Sequence, residues 1–345
     1  MNLIEIYEII AKNINLIDFN ILWDDFKPYR FALYNDSEVV FAGQKVDKTD
    51  QFIGNTSILY NNEQIAIWNV TSNDKDMDIL TSKIVHEMFH AYQNDKHESR
   101  FPNEMEALIK YNYSKDNLNL KLAENKLLKE LIESFDKVKF DLFLAYRLKR
   151  KTLDSFSFNY ESSIEVIEGT ALYIELQALY QLNKVKADKY LNNILNKIIE
   201  PNNFIPIRVI SYNIGVIILK ILIDNNITFD KTIYNNQLTY MDQLLVNISN
   251  EKVPDVDDVF SNIIEEDKKK LDLIIKKSIK EEPIVMGNYK LYGCNVYDAR
   301  YHIGYLLSNY FIAYIDKEEP VFLHGDFIAR MDEEFLVKKI YKMIK

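Results

Sequence analysis

The most informative segment of the sequence is His86-Glu87-Met88-Phe89-His90. On an α-helix, side chains four residues apart lie one above the other, so His86 and His90 can bind the same ion. Glu87 lies about a third of a turn away, beside the open coordination position, where it can take a proton from water. With 5 His in 345 residues, a chance H-E-x-x-H arises in roughly one chain in two hundred. The stretch therefore indicates a zinc site together with its general base.

The residues around this motif predict one uninterrupted helix from Asp76 to Gln93. Acidic residues occupy its first turn, where they favour the helix dipole, and neither Pro nor Gly interrupts it. An apolar stripe follows the helical period. It consists of Ile79, Leu80, Ile84, Val85, Met88 and Phe89. A surface helix whose two histidines face the same way by chance is the alternative, and the rarity of the motif argues against it.

A third metal ligand has to come from outside the motif, because catalytic zinc usually keeps three protein ligands and one water. A metzincin would continue with Gly at position 93 and His at position 96, but the chain has Gln93 and Lys96, which excludes that class. The other common solution is a Glu on a second helix. Residues 160–175 offer three acids whose spacing places them on one helical face: Glu161, Glu165 and Glu168.

Glu168-Gly169-x-Ala171-x-Tyr173 resembles the Glu-Gly-x-Ala-x-Tyr helix of the gluzincins, the zinc peptidases that include thermolysin-like and aminopeptidase N-like enzymes. The segment is also similar to one in uncharacterised bacterial zinc-dependent peptidases. The resemblance implies that Glu168 is the third zinc ligand, and that Gly169 and Ala171 let this helix lie close to the H-E-x-x-H helix. The resemblance covers only the two active-site helices. His90 and Glu168 are separated by 77 residues, many more than separate the corresponding residues in the two named enzyme groups.

Other acidic residues have alternative interpretations. Glu165 lies one turn before Glu168 on the same face and is predicted to fix a ligand histidine, a role that metal sites commonly need; it is also the alternative third ligand. Glu104 and Glu106 have no neighbouring Gly or Ala for close helix packing and are interpreted as solvated surface. Glu161 is interpreted either as part of the helix start or as a substrate contact.

Two similar segments predict a hydrogen-bond donor for an oxyanion. Tyr212-x-x-Gly215 and Tyr301-x-x-Gly304 each open an apolar run with a helical pattern. In aminopeptidase N-like gluzincins, a Tyr in this context donates its hydroxyl to the oxyanion, a general need of acyl-transfer sites. Tyr301 is the preferred donor, because the neighbouring His302 offers a second one, and Tyr212 is the alternative. Small residues also recur where helices cross, which would explain the similarity without catalysis.

The segment immediately before the H-E-x-x-H helix is the predicted substrate-binding strand. Zincins present an edge strand at this position, and an extended peptide can add to such an edge through main-chain hydrogen bonds. The residues predicted to bind substrate are Ala66, Ile67, Trp68 and Asn69, with Trp68 shaping a side-chain pocket.

The pattern along the chain predicts an α+β protein that is predominantly helical, with a zincin-like fold in one catalytic unit, 1–345. Residues 1–75 are predicted to form a helix and a small antiparallel sheet, 76–182 the active-site helices with a helical insertion, and 183–345 a helical C-terminal lobe. Helices are predicted at 103–113, 117–150, 187–199, 206–224, 257–280, 299–315 and 331–344.

Composition excludes several other classes of protein. A chain with 48% hydrophobic and 13% aromatic residues is globular, and 42 basic against 52 acidic residues argue against a nucleic-acid partner. Cys294 is the only cysteine, which rules out an intrachain disulfide. The first ten residues carry two acids, Glu5 and Glu8, where a signal peptide would carry Lys or Arg, and polar residues interrupt the most apolar window, 204–223. We therefore expect a cytoplasmic protein without a membrane span.

Together these features predict a zinc-dependent hydrolase of peptide or amide bonds, with one Zn²⁺ per chain bound by His86, His90 and Glu168. Glu87 would remove a proton from the attacking water and later deliver it to the leaving amine. The alternative is a non-catalytic, metal-containing binding protein that retains the zincin fold. An intact Glu87 favours the enzyme, since binding alone needs no carboxylate at that position.

Overall fold

The chain begins with one helix and a small sheet, continues as a block of helices and ends in a second sheet. A computed structural model describes residues 1–246, 248 and 252–345. About 49% of the chain is helical and about 18% is in strands, which confirms the predicted α+β class. The helices are α1 Leu3–Ile14, α2 Met77–Asp95, α3 Glu104–Lys110, α4 Lys115–Glu133, α5 Lys137–Leu153, α6 Ser155–Leu182, α7 Lys184–Lys197, α8 Ile207–Asp224, α9 Tyr240–Leu245 and α10 Phe260–Ser278. The strands are β1 Phe31–Tyr34, β2 Val39–Phe41, β3 Gln44–Val46, β4 Thr56–Tyr60, β5 Glu63–Asn69, β6 Val285–Cys294, β7 Arg300–His302, β8 Tyr305–Ser308, β9 Phe311–Asp316, β10 Glu319–His324, β11 Phe327–Met331 and β12 Leu336–Lys342.

The first sheet supports the helix that carries the H-E-x-x-H motif. Its strand order is β3-β2-β1-β5-β4, and α1 and α2 pack against it. β1 and β5 are parallel, while the other neighbours are antiparallel. The sheet is therefore mixed, and the prediction of an antiparallel sheet is wrong, because β5 returns beside β1 after three intervening strands. Asn61 and Asn62 join β4 to β5 and have φ values of 51° and 63°, as a two-residue hairpin turn requires.

α2 begins at a side-chain cap and buries the predicted stripe. The Asp76 carboxylate accepts hydrogen bonds from the backbone N–H groups of Asp78 and Ile79, which satisfies two donors at the helix start. Five of the six predicted apolar residues are buried, and Ile79 in the first turn is exposed. The buried members are Leu80, Ile84, Val85, Met88 and Phe89. This packing fixes which face of α2 is turned toward the rest of the helical core.

α6 and α8 cross closely at two glycines. A Cβ atom on Gly169 would lie 2.6 Å from the Cα atom of Gly215, and a Cβ atom on Gly215 would lie 2.5 Å from the carbonyl oxygen of Glu165. No residue larger than glycine fits without moving a helix backbone. Gly169 therefore lies against α8. The resemblance implied that Gly169 lets α6 lie close to the motif helix, and that expectation is wrong. α2 packs against α6 as well, but not through Gly169.

The predicted helical insertion consists of three helices. The run predicted at 103–113 is α3, and the run predicted at 117–150 is divided into α4 and α5. The division occurs where Ser134 ends α4 and the Asp136 side chain caps α5 by accepting from the N–H of Lys139. α4 and α5 pack against each other, and α5 packs on α6.

The end of the chain forms a seven-stranded antiparallel sheet with the order β10-β9-β6-β12-β11-β8-β7. The prediction of a wholly helical C-terminal lobe is therefore wrong: α8 and α10 are present, but the segments 299–315 and 331–344 form strands. Two hairpins turn at residue pairs with positive φ. Ile303 and Gly304 have φ values of 43° and 83°, and Lys317 and Glu318 have values of 48° and 71°. The second pair makes a tight turn without the Asn or Gly that usually marks one.

α8 accounts for most of the apolar window that the sequence analysis interpreted as a buried helix. Most of its residues belong to the main hydrophobic core, and the charged side chain of Arg208 in its first turn is also largely buried. Within the described residues, none of the helices combines the length and apolar character that crossing a membrane would require.

Candidate metal centre

Three side chains from α2 and α6 meet at one point. The Nε2 atoms of His86 and His90 are 3.1 Å apart. The Oε2 atom of Glu168 lies 3.8 Å from the first and 3.2 Å from the second. One potential donor atom from each residue falls within 4.8 Å of the others. In the described part of the chain this is the one cluster of His, Cys and acidic residues with such a geometry, and it is the predicted trio.

Gln93 orients His90. Its Oε1 atom lies 2.7 Å from Nδ1 of His90, and its own Nε2 donates to the carbonyl oxygen of Ile167, 3.1 Å away. Because the amide nitrogen is used by that carbonyl, the amide oxygen faces the imidazole and Nδ1 must carry the proton. The Nε2 lone pair of His90 is then free to bind a metal. This contact of Gln93 with His90 was not predicted, because Gln93 was considered only as evidence against a metzincin.

The contact with a histidine of the cluster that was predicted for Glu165 is made by Glu175. Its Oε2 atom lies 3.1 Å from Nδ1 of His86, an ion-pair distance, although the angle is outside that of a regular hydrogen bond. Glu175 follows Glu168 by two helical turns, so both face α2. The prediction that Glu165 fixes a ligand histidine is wrong, because its carboxylate instead binds the guanidinium of Arg147.

Glu165 belongs to a separate buried network between α4, α5 and α6. Six charged side chains take part, and all are at most 2% exposed: Lys121, Glu124, Arg147, Arg150, Glu161 and Glu165. Arg150 donates to Glu124 at 2.7 Å and to Glu161 at 2.6 Å, while Arg147 donates to Glu124 at 3.0 Å. Both interpretations of Glu161 are therefore wrong. The cap of α6 is Asp154, and the Glu161 carboxylate is enclosed by Lys121, Arg150 and the hydroxyl of Tyr111.

Arg208 binds the second oxygen of Glu168. Its Nη2 atom donates to Glu168 Oε1 at 3.1 Å, and its Nε atom donates to Glu104 Oε1 at 2.9 Å. Tyr160 donates to the other oxygen of Glu104 at 2.7 Å. Glu104 is thus part of the site, and its interpretation as solvated surface is wrong. Glu106 agrees with that interpretation, since it pairs with Lys110 at the surface.

A cavity of about 220 Å³ opens above the three clustered side chains. Glu87 lines it beside the two histidines. Its other walls come from the start of β4, from the end of α2 and the loop after it, and from two tyrosines: Asn55, Thr56, Ser57, Asn94, Phe101, Tyr212 and Tyr297. A larger hollow of about 920 Å³ lies between α4, α5 and residues 252–258. It is not lined by any of the clustered histidines or acids, so the smaller cavity is the candidate site.

Tyr212 lines the cavity, whereas Tyr301 and His302 do not. The Tyr212 hydroxyl is buried and meets no hydrogen-bond partner among the described residues. Tyr301 lies on β7, with its ring 6.3 Å from that of Phe335, and His302 contacts Asp272 of α10 at 2.9 Å. The preference for Tyr301 and His302 as oxyanion donors is therefore wrong, because their segment is a strand of the C-terminal sheet.

Tyr297 is a cavity residue that sequence analysis missed. It lies in the turn between β6 and β7, so the C-terminal sheet contributes directly to the site. Burial and the nearby charge of Glu168 raise the pKa of Tyr297, which keeps its hydroxyl protonated and able to donate. The sequence around it matches no motif, and only the tertiary fold brings it to the metal site.

The predicted substrate-binding strand is not at an edge. β5 lies between β1 and β4, and Ala66 pairs with Phe31 on one side and with Ser57 on the other. Trp68 is nearly buried and packs in the main core. The prediction that an extended peptide adds along 66–69 is therefore wrong, because both sides of this strand are already paired. The free edge beside the cavity belongs to β4.

The three clustered side chains and their acidic neighbours form a strongly coupled group of charges. Burial lowers the pKa of His86, but hydrogen bonds with Glu168 and Glu175 raise it to about 10. Burial raises the pKa of Glu168, but His90 and His86 hold it well below its usual range. For Glu87, burial is the largest influence and raises the pKa. A dication would take the place of the protons held by the two imidazoles, because metal binding requires their neutral form.

Comparison of the chain with protein-family models, with curated proteins and with solved structures finds no match. The chemistry of the site therefore has to be inferred from its own residues. These provide two imidazole nitrogens and a carboxylate oxygen around one point, a further buried carboxylate beside it, and two tyrosines on the cavity wall.

Proposed function

We propose that the chain is a zinc-dependent hydrolase of peptide bonds, with zinc bound by His86, His90 and Glu168. The observation that carries the proposal is the arrangement of the two imidazoles. Both Nδ1 atoms face acceptors, Gln93 and Glu175, so both Nε2 atoms are turned toward each other and lie 3.1 Å apart. Without a metal, a proton on one Nε2 can bridge the two nitrogens, and a dication bound by both would take the place of that proton. Two His nitrogens and one Glu oxygen are also a common donor set of catalytic zinc.

The residues of the chain divide the catalytic work. When bound, the metal supplies Lewis acidity that polarises the scissile carbonyl and lowers the pKa of water toward about 7. Glu87 accepts a proton from the attacking water and later delivers it to the leaving amine. Tyr212 donates to the oxyanion that develops on the carbonyl.

An extended peptide would bind along β4. This strand has one paired side, toward β5, and its first residues line the cavity. The Asn94 side chain of α2 donates to the hydroxyl of Ser57 at 2.9 Å, which ties the edge to the motif helix. A peptide backbone that adds to this edge would pass over the metal site. Peptide bonds are therefore the substrate class that the geometry supports.

Metal content is the first test. We expect about one zinc per chain, as a single four-coordinate site requires, and loss of that zinc in His86→Ala, His90→Ala and Glu168→Ala. Elemental analysis after dialysis would measure it. His324→Ala and Glu106→Ala are matched controls, since His324 is exposed, Glu106 is partly exposed and both lie outside the cluster. Full zinc occupancy in Glu168→Ala would contradict the assigned ligand set.

Cleavage of a mixed peptide library by the zinc-loaded chain is the second part of the same experiment. Peptides with N-methylated backbones should be cleaved less well, because they cannot donate all the hydrogen bonds that β4 would accept. Zinc binding without cleavage of any peptide would favour the alternative, a metal-containing binding protein.

The oxyanion donor gives a separate prediction. Tyr212→Phe should lower kcat by about 10² to 10³, with zinc content and KM nearly unchanged, because the lost hydrogen bond exists mainly in the transition state. Tyr301→Phe should be nearly silent, since Tyr301 does not line the cavity. Steady-state kinetics on a cleaved peptide would measure both. If Tyr212→Phe is silent and Tyr297→Phe is slow, the donor is Tyr297.

A further inference from the structure

We infer that Arg208 is a positioning residue that restricts Glu168 to binding the metal through one oxygen, and that the same guanidinium holds the two tyrosines of the cavity wall in place. The inference rests on the proposed binding of a metal by Glu168. It deepens that proposal, because it explains how a carboxylate with two equivalent oxygens is held in one orientation.

The two oxygens of Glu168 have different partners. Oε1 accepts a hydrogen bond from Nη2 of Arg208 at 3.1 Å. Oε2 faces His90 at 3.2 Å and His86 at 3.8 Å. A charge-assisted hydrogen bond to a guanidinium is stronger than one between neutral groups, so it fixes the rotation of the carboxylate. Only Oε2 is then available to an ion at the centre of the cluster.

Arg208 is itself held from the opposite side. Its Nε atom donates to Glu104 Oε1 at 2.9 Å, and Tyr160 donates to Glu104 Oε2 at 2.7 Å. The side chain of Arg208 is 9% exposed, so water competes little for its donors. The chain of contacts from Tyr160 through Glu104 and Arg208 to Glu168 joins α3, α6 and α8. A rotation of the Glu168 carboxylate would break this chain.

The guanidinium also contacts the rings of the cavity wall. Its central carbon lies 4.9 Å from the ring centre of Tyr212 and 4.9 Å from that of Tyr297. A cation at this distance from an aromatic ring is attracted to it, and more strongly where water is excluded. Arg208 thereby links the metal ligand to both candidate oxyanion donors, one on α8 and one on the C-terminal sheet.

The close crossing of α6 and α8 makes these contacts possible. Gly169 follows Glu168 directly, and Gly215 lies two helical turns after Arg208. Because the two glycines bring the helix backbones together, the first turn of α8 lies beside Glu168. A neutral side chain at position 208 would leave the carboxylates of Glu104 and Glu168 close together without a cation between them.

Cobalt substitution tests the inference. Co²⁺ replaces zinc in such sites, and its visible absorption is weaker when the coordination number rises from four to five. In Arg208→Met we expect a metal affinity about 10- to 100-fold lower, the usual effect of losing an outer partner of a ligand. We also expect a weaker cobalt band, since the freed carboxylate can bind through both oxygens. Arg208→Lys keeps the charge and should restore part of the affinity.

Arg300→Met is the matched control. Arg300 also stacks on a tyrosine, Tyr113, and pairs with an acid, Asp267, but it does not touch the cluster. It should leave the metal affinity and the cobalt spectrum unchanged. Should Arg208→Met fail to fold, as circular dichroism would show, Glu104→Gln serves instead and should weaken metal binding several-fold.

The outcomes separate this inference from the proposed function. Wild-type affinity and an unchanged cobalt spectrum in folded Arg208→Met, or in Glu104→Gln where Arg208→Met does not fold, would overturn the positioning role of Arg208. Neither readout requires peptide cleavage, so the inference stands if the variants lose affinity while no peptide is a substrate. A wild-type chain that binds no metal would overturn the proposed function itself.

Discussion

Glu87→Gln is expected to keep its zinc and to lose peptide cleavage by about 10²-fold or more, because a positioned general base contributes about 10² to 10⁴ to the rate. Glutamine has nearly the same shape as glutamate but accepts no proton at neutral pH. Glu87 lines the cavity without belonging to the cluster of potential ligands. The loss should therefore fall on kcat and not on metal content, as kinetics and elemental analysis on one preparation would show.

The control for this prediction is Glu106→Gln, the same chemical change at an exposed residue that pairs with Lys110. It should leave both kcat and zinc content unchanged. Cleavage by Glu87→Gln within a few-fold of the wild-type rate would mean that another group accepts the proton. Loss of zinc in Glu87→Gln would instead mean that this carboxylate is a ligand.

The motif helix and the cluster of His86, His90 and Glu168 were predictable because their signals are local or depend on one helical period. The apolar stripe and the H-E-x-x-H spacing of α2 lie within residues 76–95, and every residue of the stripe except Ile79 is buried. Glu168 was found through the resemblance of its own short segment. The prediction of its partner Glu165 failed because helical spacing places several acids on one face of α6, and only the packing of α5 shows which of them is claimed by Arg147.

The C-terminal sheet was not predicted, because two of its segments were assigned to helices from their apolar pattern. One of its hairpins turns without the usual signals: Lys317 and Glu318 adopt positive φ, although neither residue type favours that conformation. Short apolar runs can fit either a helix or a strand, and flanking turn residues are what normally distinguishes them. Gly304 is such a turn residue, but it was interpreted as part of a Tyr-x-x-Gly pattern, so the segment that includes Tyr301 was assigned to a helix and given a catalytic role.

Arg208 could have been identified from the sequence as a candidate functional residue. It is a charged residue near the start of the most apolar window of the chain, and a buried charge must be paired. Arg208 was considered only as one of the polar residues that interrupt this window and so argue against a membrane span. Glu175, two turns after Glu168, also carried a signal in its spacing. Tyr297 carried none, since its approach to the site depends on the packing of the C-terminal sheet.

Arg150→Met is expected to lower the free energy of unfolding by about 3 to 5 kcal/mol, because removing one partner of a buried ion network leaves the opposite charges unpaired. Arg150 donates to Glu124 and Glu161, and all three side chains are inaccessible to solvent. Although burial raises the pKa of Glu161, Arg150 and Lys121 lower it to about 2. The Glu161 carboxylate is therefore charged at neutral pH in the wild-type protein, and Arg150→Met removes the cation that lowers its pKa most.

Urea unfolding would measure this effect, and Arg30→Met is its control. Arg30 and Glu63 form an ion pair at the surface, with side chains 50% and 37% exposed, and breaking such a pair costs about 0 to 1 kcal/mol. Equal stability losses in Arg30→Met and Arg150→Met would contradict the prediction. The fraction of Arg150→Met that remains folded should bind zinc like the wild type, since Arg150 makes no contact with the metal-binding trio. The network between α4, α5 and α6 would then stabilise α6, while Arg208 alone orients the ligand that α6 carries.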